Sequence, residues 1–188
     1  MKKTFLLFII PAIFIIVYLN TNYRSSNQVL RDQLNDYIST PINIPYSKMD
    51  KKNCYAFMDS TKTNCHVKLV FYHDSIECID CTYKRNLRYI NENKALLNNV
   101  RIISIYRINS ENSDAVYHKL CNLRVSSEVY FDTCGIFRGV NPKIPQNKLY
   151  HTFVLNKNNR IIFVGSPVNN NETERIFKKV IQQYAKVS

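Results

Sequence analysis

Apolar positions along the chain fall into two kinds of run. Val67-Lys68-Leu69-Val70-Phe71-Tyr72 and Val100 to Ile108 (VRIISIYRI) are short, β-branched and aromatic, the pattern of buried strands. Ser127 to Phe131 reads as a third strand. Thr152-Phe153-Val154-Leu155 and Arg160-Ile161-Ile162-Phe163-Val164 flank Asn156-Lys157-Asn158-Asn159, four turn-forming residues, and so predict a hairpin closed by Gly165-Ser166-Pro167. Between these runs the spacing turns helical. Cys81 to Asn93 places Leu87, Ile90 and, further on, Leu97 inward, and Ser113 to Leu123 is a second helix with Ser113 as its N-cap. Glu172 to Lys186 is a terminal helix with Ile176, Phe177, Val180, Ile181 and Tyr184 inward.

Upstream, Asn27 to Ile38 predicts a short amphipathic helix with Val29, Leu30, Leu34 and Ile38 on one side. Thr40 to Pro45 holds two prolines and reads as an extended linker. Lys48 to Asn64 is polar and turn-rich, with Tyr55-Ala56-Phe57-Met58 a short strand candidate, and Asp132 to Lys148 is a long connection. The order β-α-β-α-β-loop-β-β-α predicts an α/β fold, a central mixed sheet with helices on both faces.

The first residues follow a different pattern. Lys2 and Lys3 precede fifteen uncharged residues, Phe5 to Leu19. As a helix this run spans roughly 22 Å at 1.5 Å per residue, short of a ~30 Å hydrocarbon core and longer than many signal-peptide cores. No A-x-A-like cleavage site follows. The expectation is an uncleaved anchor, or alternatively a signal peptide, with the two lysines inside and the rest exported. The domains expected are therefore residues 1–24 as membrane segment and flank, 25–64 as a helical and extended linker region, and 65–188 as the α/β domain.

Composition narrows the function. The chain has 188 residues, is 45% apolar and carries 13 Tyr and 10 Phe, enough for a core. It holds 3 Gly and no phosphate-cradling glycine motif. The net charge of +12 is spread over short pairs such as Lys51-Lys52, Lys84-Arg85 and Lys178-Lys179. That distribution does not make a nucleic-acid stripe, so no nucleic-acid partner is expected, and it suits a surface near acidic lipid headgroups.

The candidate chemistry lies in Ser75 to Leu87 (SIECIDCTYKRNL), where Cys78 and Cys81 form a C-x-x-C at the strand-to-helix junction. A helix N-terminus offers unpaired N–H groups and partial positive charge, which favour a thiolate. Cys78 is the natural nucleophile, and Cys81, three residues on, the resolving thiol. Glu77 and Asp80 add negative charge beside it, which raises a thiol pKa and predicts a reducing pair. Two other readings stay open: a disulfide that never cycles, and half of a metal site with Cys54, Cys65 and His66, although no second C-x-x-C is present. The remaining cysteines allow local pairs, Cys54 with Cys65 and Cys121 with Cys134, or buried free thiols.

From Val67 to Lys186 the chain resembles the thioredoxin superfamily, in particular exported, membrane-tethered proteins of the TlpA and redoxin type. The resemblance rests on strand–C-x-x-C–helix, on TFVLNKNNRIIFVG (Thr152 to Gly165) as closing hairpin, and on the C-terminal helix. It implies thiol–disulfide exchange by Cys78 and Cys81 without a cofactor or metal. Protein thiols and disulfides would be the substrates, and a membrane electron donor or acceptor would turn the pair over. It also implies that Tyr150 and His151, before the hairpin, receive substrate backbone. The sequence departs from the family pattern at three places. Glu77 replaces an aromatic before the first cysteine, Tyr150 stands in the place of a cis-proline, and Tyr72 stands where a buried acid is common. Asp74, His73 or His151 is then the candidate proton acceptor. A single-cysteine T-x-x-C peroxidase pattern is not evident. The competing function is a non-catalytic binding scaffold holding an inert disulfide. The location expected is the periplasmic face of an inner membrane.

Overall fold

The computed structural model describes residues 28–52, 65–75, 79–123 and 127–185, the side chains of residues 79–82 excepted. In chain order the elements are α1 (residues 28–39), β1 (Asp50–Lys52), β2 (Val67–His73), α2 (Ile79–Glu92), β3 (Val100–Arg107) and α3 (Ser113–Asn122). They continue with β4 (Glu128–Asp132), α4 (Ile136–Val140), β5 (Thr152–Leu155), β6 (Ile161–Val164) and α5 (Asn171–Tyr184). The strands form one sheet in the order β1-β4-β3-β2-β5-β6.

The centre of that sheet is parallel. β2 pairs with β3 from Val67↔Val100 to His73↔Tyr106, and β3 with β4 from Ile103↔Glu128 to Arg107↔Asp132. β5 runs antiparallel to β2 and turns back into β6. Parallel strands need helical crossovers, and α2 and α3 supply them. Their alternating side chains decide what each face packs. Val67, Leu69 and Phe71 of β2 share a buried cluster with Tyr89 and Ile90 of α2 and with Phe177 and Ile181 of α5. Tyr106, Val129 and Phe131 share another with Tyr83 of α2 and with Val116 and Leu120 of α3. Thus α2, α3 and α5 cover one face. Burying each of Phe177 and Ile181, both at 0% exposure, stabilises the fold by about 1.5–3 kcal/mol. On the opposite face Tyr72 meets Phe137 of α4, ring centroids 4.9 Å apart, and Tyr130 meets Tyr46 at 5.4 Å.

Several expectations change here. β1 consists of Asp50-Lys51-Lys52, with no apolar pattern, and lies within the region expected to be a linker. It is a strand because its backbone completes the free edge of β4, antiparallel, with Lys52↔Val129. Ser113 is the first helical residue of α3 and not its N-cap; Asn112 holds that position without a side-chain cap. Within α1, Val29, Leu30 and Ile38 are exposed and Tyr37 is buried, so the predicted apolar stripe is not the buried side. In α5, Ile176 and Tyr184 are exposed as well. The long connection after β4 contains α4, whose first N–H groups are held by a carboxylate: Ile136 N and Phe137 N donate to Asp132 Oδ1 and Oδ2 at 2.7 and 2.9 Å. Gly135 before it adopts φ 68°, a left-handed conformation that glycine takes without strain. The strand candidate at Tyr55 to Met58 and the apolar run Phe5 to Leu19 lie outside the described residues. Among the described residues no helix is long and apolar enough to cross a membrane.

Candidate functional site

Three parallel strands end at the same edge of the sheet, and that edge carries the polar side chains of interest. β2 finishes at His73, β3 at Arg107 and β4 at Asp132. Carboxyl ends of parallel strands are where α/β folds place ligands, because side chains from neighbouring loops converge there. β2 also leads into the C-x-x-C. α2 opens at Ile79, inside the motif and two residues before the start expected at Cys81. Cys78 lies outside the described residues, as does the side chain of Cys81.

The first residue beyond β2 is the hub of this edge. Asp74 Oδ2 lies 3.6 Å from Arg138 Nη1 of α4, and Asp74 Oδ1 lies 3.8 Å from His151 Nδ1. Next to it, Ser75 Oγ accepts a hydrogen bond from Lys148 Nζ at 2.9 Å. Arg138 also donates to the Ile144 carbonyl at 3.3 Å, which ties the loop after α4 to the same group. The two residues that carry β2 toward the motif are thereby held by cations from the segment between β4 and β5.

His151 is buried, 3% exposed, and its Nε2 is 2.8 Å from the Pro145 carbonyl. A carbonyl accepts only, so the ring carries its proton on Nε2 and turns the basic Nδ1 toward Asp74. Burial holds the His151 pKa below the ordinary histidine value; Arg138 and Lys148 push the same way, against the Pro145 bond and Asp74. His73 stacks on Tyr106, centroids 4.5 Å apart and planes at 9°, with Nε2 buried and lacking a hydrogen-bond partner among the described residues. Its pKa falls to about 4, first through burial and then through repulsion from His151, with Asp74 opposing. Both rings are therefore neutral near pH 7.

Tyr150 closes a 3-10 turn, Lys148–Tyr150, and His151 follows it directly. Their backbone donors are engaged within the chain: Leu149 N with Asn147 Oδ1, Tyr150 N with Asn147 O, and His151 N with Lys148 O. The His151 carbonyl accepts from Tyr72 N, which prolongs the β2–β5 ladder. No cis peptide bond occurs among the described residues. Arg138, Lys148 and Asp132 went unread in the sequence. Asp132, four residues before Ile136, carried a recognisable capping signal, whereas nothing local marked Arg138 or Lys148.

The cysteine pairing differs from both local alternatives. Cys65 and Cys134 are free thiols, and Cys121 is disulfide-bonded. Neither Cys54–Cys65 nor Cys121–Cys134 forms. Cys134 follows β4 at the motif's edge of the sheet, whereas Cys121 lies near the far end of α3, on the other side of the strands.

Strand–motif–helix, a parallel crossover, a closing antiparallel hairpin and a terminal helix on the face of the motif helix together define a thioredoxin-like α/β fold. Strand β4 and helix α3 extend it on the β3 side, with β1 outside them. Solved structures with similar folds include a thioredoxin-like protein from Porphyromonas gingivalis, 18% identical over 65% of this chain and 76% of that one, TM-score 0.44. The bacterioferritin comigratory protein of Xanthomonas campestris, solved in connection with alkyl peroxide reduction, is 10% identical over 65% and 82%, TM-score 0.47. A Chlorobium tepidum protein assigned as the thiol:disulfide interchange protein DsbE is 13% identical over 65% and 82%, TM-score 0.44. No protein-family model matches the chain, and no curated protein matches it.

Proposed function

We propose that this protein is an exported thiol–disulfide oxidoreductase. The Cys78 thiolate attacks a disulfide of a protein substrate and displaces one substrate thiol, leaving a mixed disulfide. Cys81 then attacks Cys78 Sγ, releases the second substrate thiol and leaves Cys78–Cys81 oxidised. Two electrons pass to the substrate, and a membrane electron donor restores the dithiol. The observation that supports this reading is the start of α2 at Ile79, the residue after Cys78 in the chain, close behind the carboxyl end of the parallel strand β2. Asp74 and His151, beside the end of β2, offer the proton lost from Cys81 a place to go through His151 Nδ1.

Export is supported by Phe5 to Leu19, an uncharged run suited to a membrane, and by the disulfide at Cys121, since such bonds persist outside the cytoplasm. Residues 1–24 would anchor the chain on the inner membrane, 25–64 would connect, and 65–188 would carry the thioredoxin-like domain in the periplasm. Tyr150 and His151 would flank the substrate. A second reading, a binding scaffold with an inert Cys78–Cys81 bond, draws on one observation: the backbone donors of residues 149–151 are already occupied within the chain.

Redox titration separates the two. The full-length chain in detergent is equilibrated across glutathione buffers and its free thiols are mass-tagged, with Cys78→Ser and Cys81→Ser as controls. Exchange activity gives a reversible midpoint between roughly −120 and −270 mV, and Cys81→Ser traps a mixed disulfide. A pair that stays oxidised throughout and traps nothing leaves the scaffold.

A further inference from the structure

Cys121 is disulfide-bonded, while Cys65 and Cys134 are free. Of the six cysteines, that leaves Cys54, Cys78 and Cys81 as possible partners within the chain. The topology discriminates among them. α3 starts at Ser113, just after the carboxyl end of β3, and runs back to Asn122, shortly before Glu128 opens β4. Cys121 therefore lies at the amino edge of the parallel strands. β2 ends at His73 and α2 opens at Ile79, both at the opposite edge. A ten-residue helix is ~15 Å long, whereas bonded cysteines need their Cα atoms within ~4.4–6.8 Å. Ile79, the residue between the two motif cysteines that opens α2, is at the wrong edge.

Lys52, two residues before Cys54 in the chain, is at the right one. β1 runs antiparallel to β4, and its last residue, Lys52, pairs with Val129 near the start of β4. Lys52 Nζ lies 5.8 Å from the ring centroid of Tyr117 in α3 and 5.4 Å from that of Phe131. Tyr117 and Cys121 are four residues apart, one turn along the same side of α3. The two residues from Lys52 to Cys54 reach at most ~7 Å, which matches the span from the Tyr117 turn to the Cys121 turn.

We propose that Cys54 is the partner of Cys121, and that this bond fastens the polar edge strand β1 to the end of α3. Each Sγ gives up a proton and the pair gives up two electrons. They pass by thiol–disulfide exchange to an oxidised protein disulfide, the class of oxidant found outside the cytoplasm. β1 needs such a fastening: it has three residues and no apolar side chain, so its pairing with β4 has little burial behind it. The assignment does not depend on the proposed exchange activity. It divides the cysteines into a permanent bond at one edge and the Cys78/Cys81 pair at the other.

Trypsin separates the candidates. The full-length chain, purified in detergent without reductant and alkylated, yields Cys54 in Asn53–Lys62, Cys121 in Leu120–Arg124 and both motif cysteines in Leu69–Lys84. The expected result is Asn53–Lys62 linked to Leu120–Arg124, a mass that disappears on reduction, with Cys65 and Cys134 alkylated. Leu120–Arg124 found linked to Leu69–Lys84, or found alkylated, overturns the assignment. In Cys54→Ser, Cys121 is expected to become fully alkylatable, and continued protection of it would also overturn the proposal. Cys78→Ser and Cys81→Ser are expected to keep the link. A failed redox titration with the link intact would count against the exchange activity alone.

Discussion

Asp74 and His151 face each other across 3.8 Å, carboxylate oxygen toward Nδ1, with Arg138 3.6 Å away on the other side of the carboxylate. His151 is buried and uncharged near neutrality, so Asp74 has a permanent partner in Arg138 and a conditional one in His151. Protonation of Nδ1 would convert the second contact into an ion pair. The arrangement can accept a proton without a large movement, beside the strand end that leads to the C-x-x-C.

Opposite-signed changes at the two neighbours should move His151 in opposite directions. Asp74→Asn removes an attraction for the imidazolium and is expected to lower the His151 pKa further; Arg138→Gln removes a repulsion and is expected to raise it. Imidazole titration followed by NMR reads both. A common direction for the two variants would mean that burial alone governs the ring.

His73 sets an acid limit on stability. Its pKa is about 4 in the folded chain against an ordinary 6.5, so the unfolded chain binds more protons between those values. The stability tied to the neutral ring is complete above pH ~6.5 and is lost as pH falls toward 4, amounting to about 3 kcal/mol at ~1.4 kcal/mol per pH unit. The groups around the ring are Tyr106, His151 and Asp74. His73→Phe keeps a ring on Tyr106 and should flatten urea-denaturation stability between pH 4 and 6.5. An unchanged slope would remove His73 as the cause.

At the amino edge, Glu128 accepts from Arg101 Nε and Nη2 at 2.6 and 2.8 Å and from the Tyr130 hydroxyl at 2.8 Å. Burial alone would raise its pKa, but these bonds win and hold it below the usual carboxylate range. Their contribution is therefore present above the ordinary glutamate pKa and lost as pH falls through the lowered one. Glu128→Ala strands a largely buried guanidinium and is expected to cost about 2–3 kcal/mol, with Glu128→Gln costing less. Equal losses for the two variants, by denaturant unfolding, would show that the charge contributes nothing.

Asn141 fastens the extended segment after α1. Its Oδ1 accepts from Asn43 N, and its Nδ2 donates to the carbonyls of Asn43 and Phe137, all at 2.7–2.8 Å. Asn141→Ala leaves backbone groups unpaired and should cost about 2 kcal/mol, with faster amide hydrogen exchange at Asn43. Exchange at Asn43 that stays slow would mean that its neighbours hold the segment without Asn141.

Strands β2, β3, β5 and β6 could be read from the chain because each has its own apolar period, and buried strands need little beyond that to be recognised. β1 could not, since Asp50-Lys51-Lys52 is a strand by virtue of the unpaired edge of β4 and nothing in its side chains. α4 was hidden for a related reason. Five residues nucleate no helix alone, and Asp132 stabilises this one after the sheet has placed the carboxylate against Ile136 N and Phe137 N.

The same division runs through the chemistry. The sequence by itself determined the order of the elements that carry their own apolar period, and with it the succession of a strand end, a C-x-x-C and a helix start, because those features are neighbours in the chain. Tertiary structure decided which distant side chains share an edge: Asp74 with Arg138 and His151, Ser75 with Lys148, and Cys121 with a cysteine other than Cys134. Those encounters depend on strand order and direction. Short-range patterns fix periodicity, whereas direction across a sheet is settled by which faces bury together and which backbone edges find a partner.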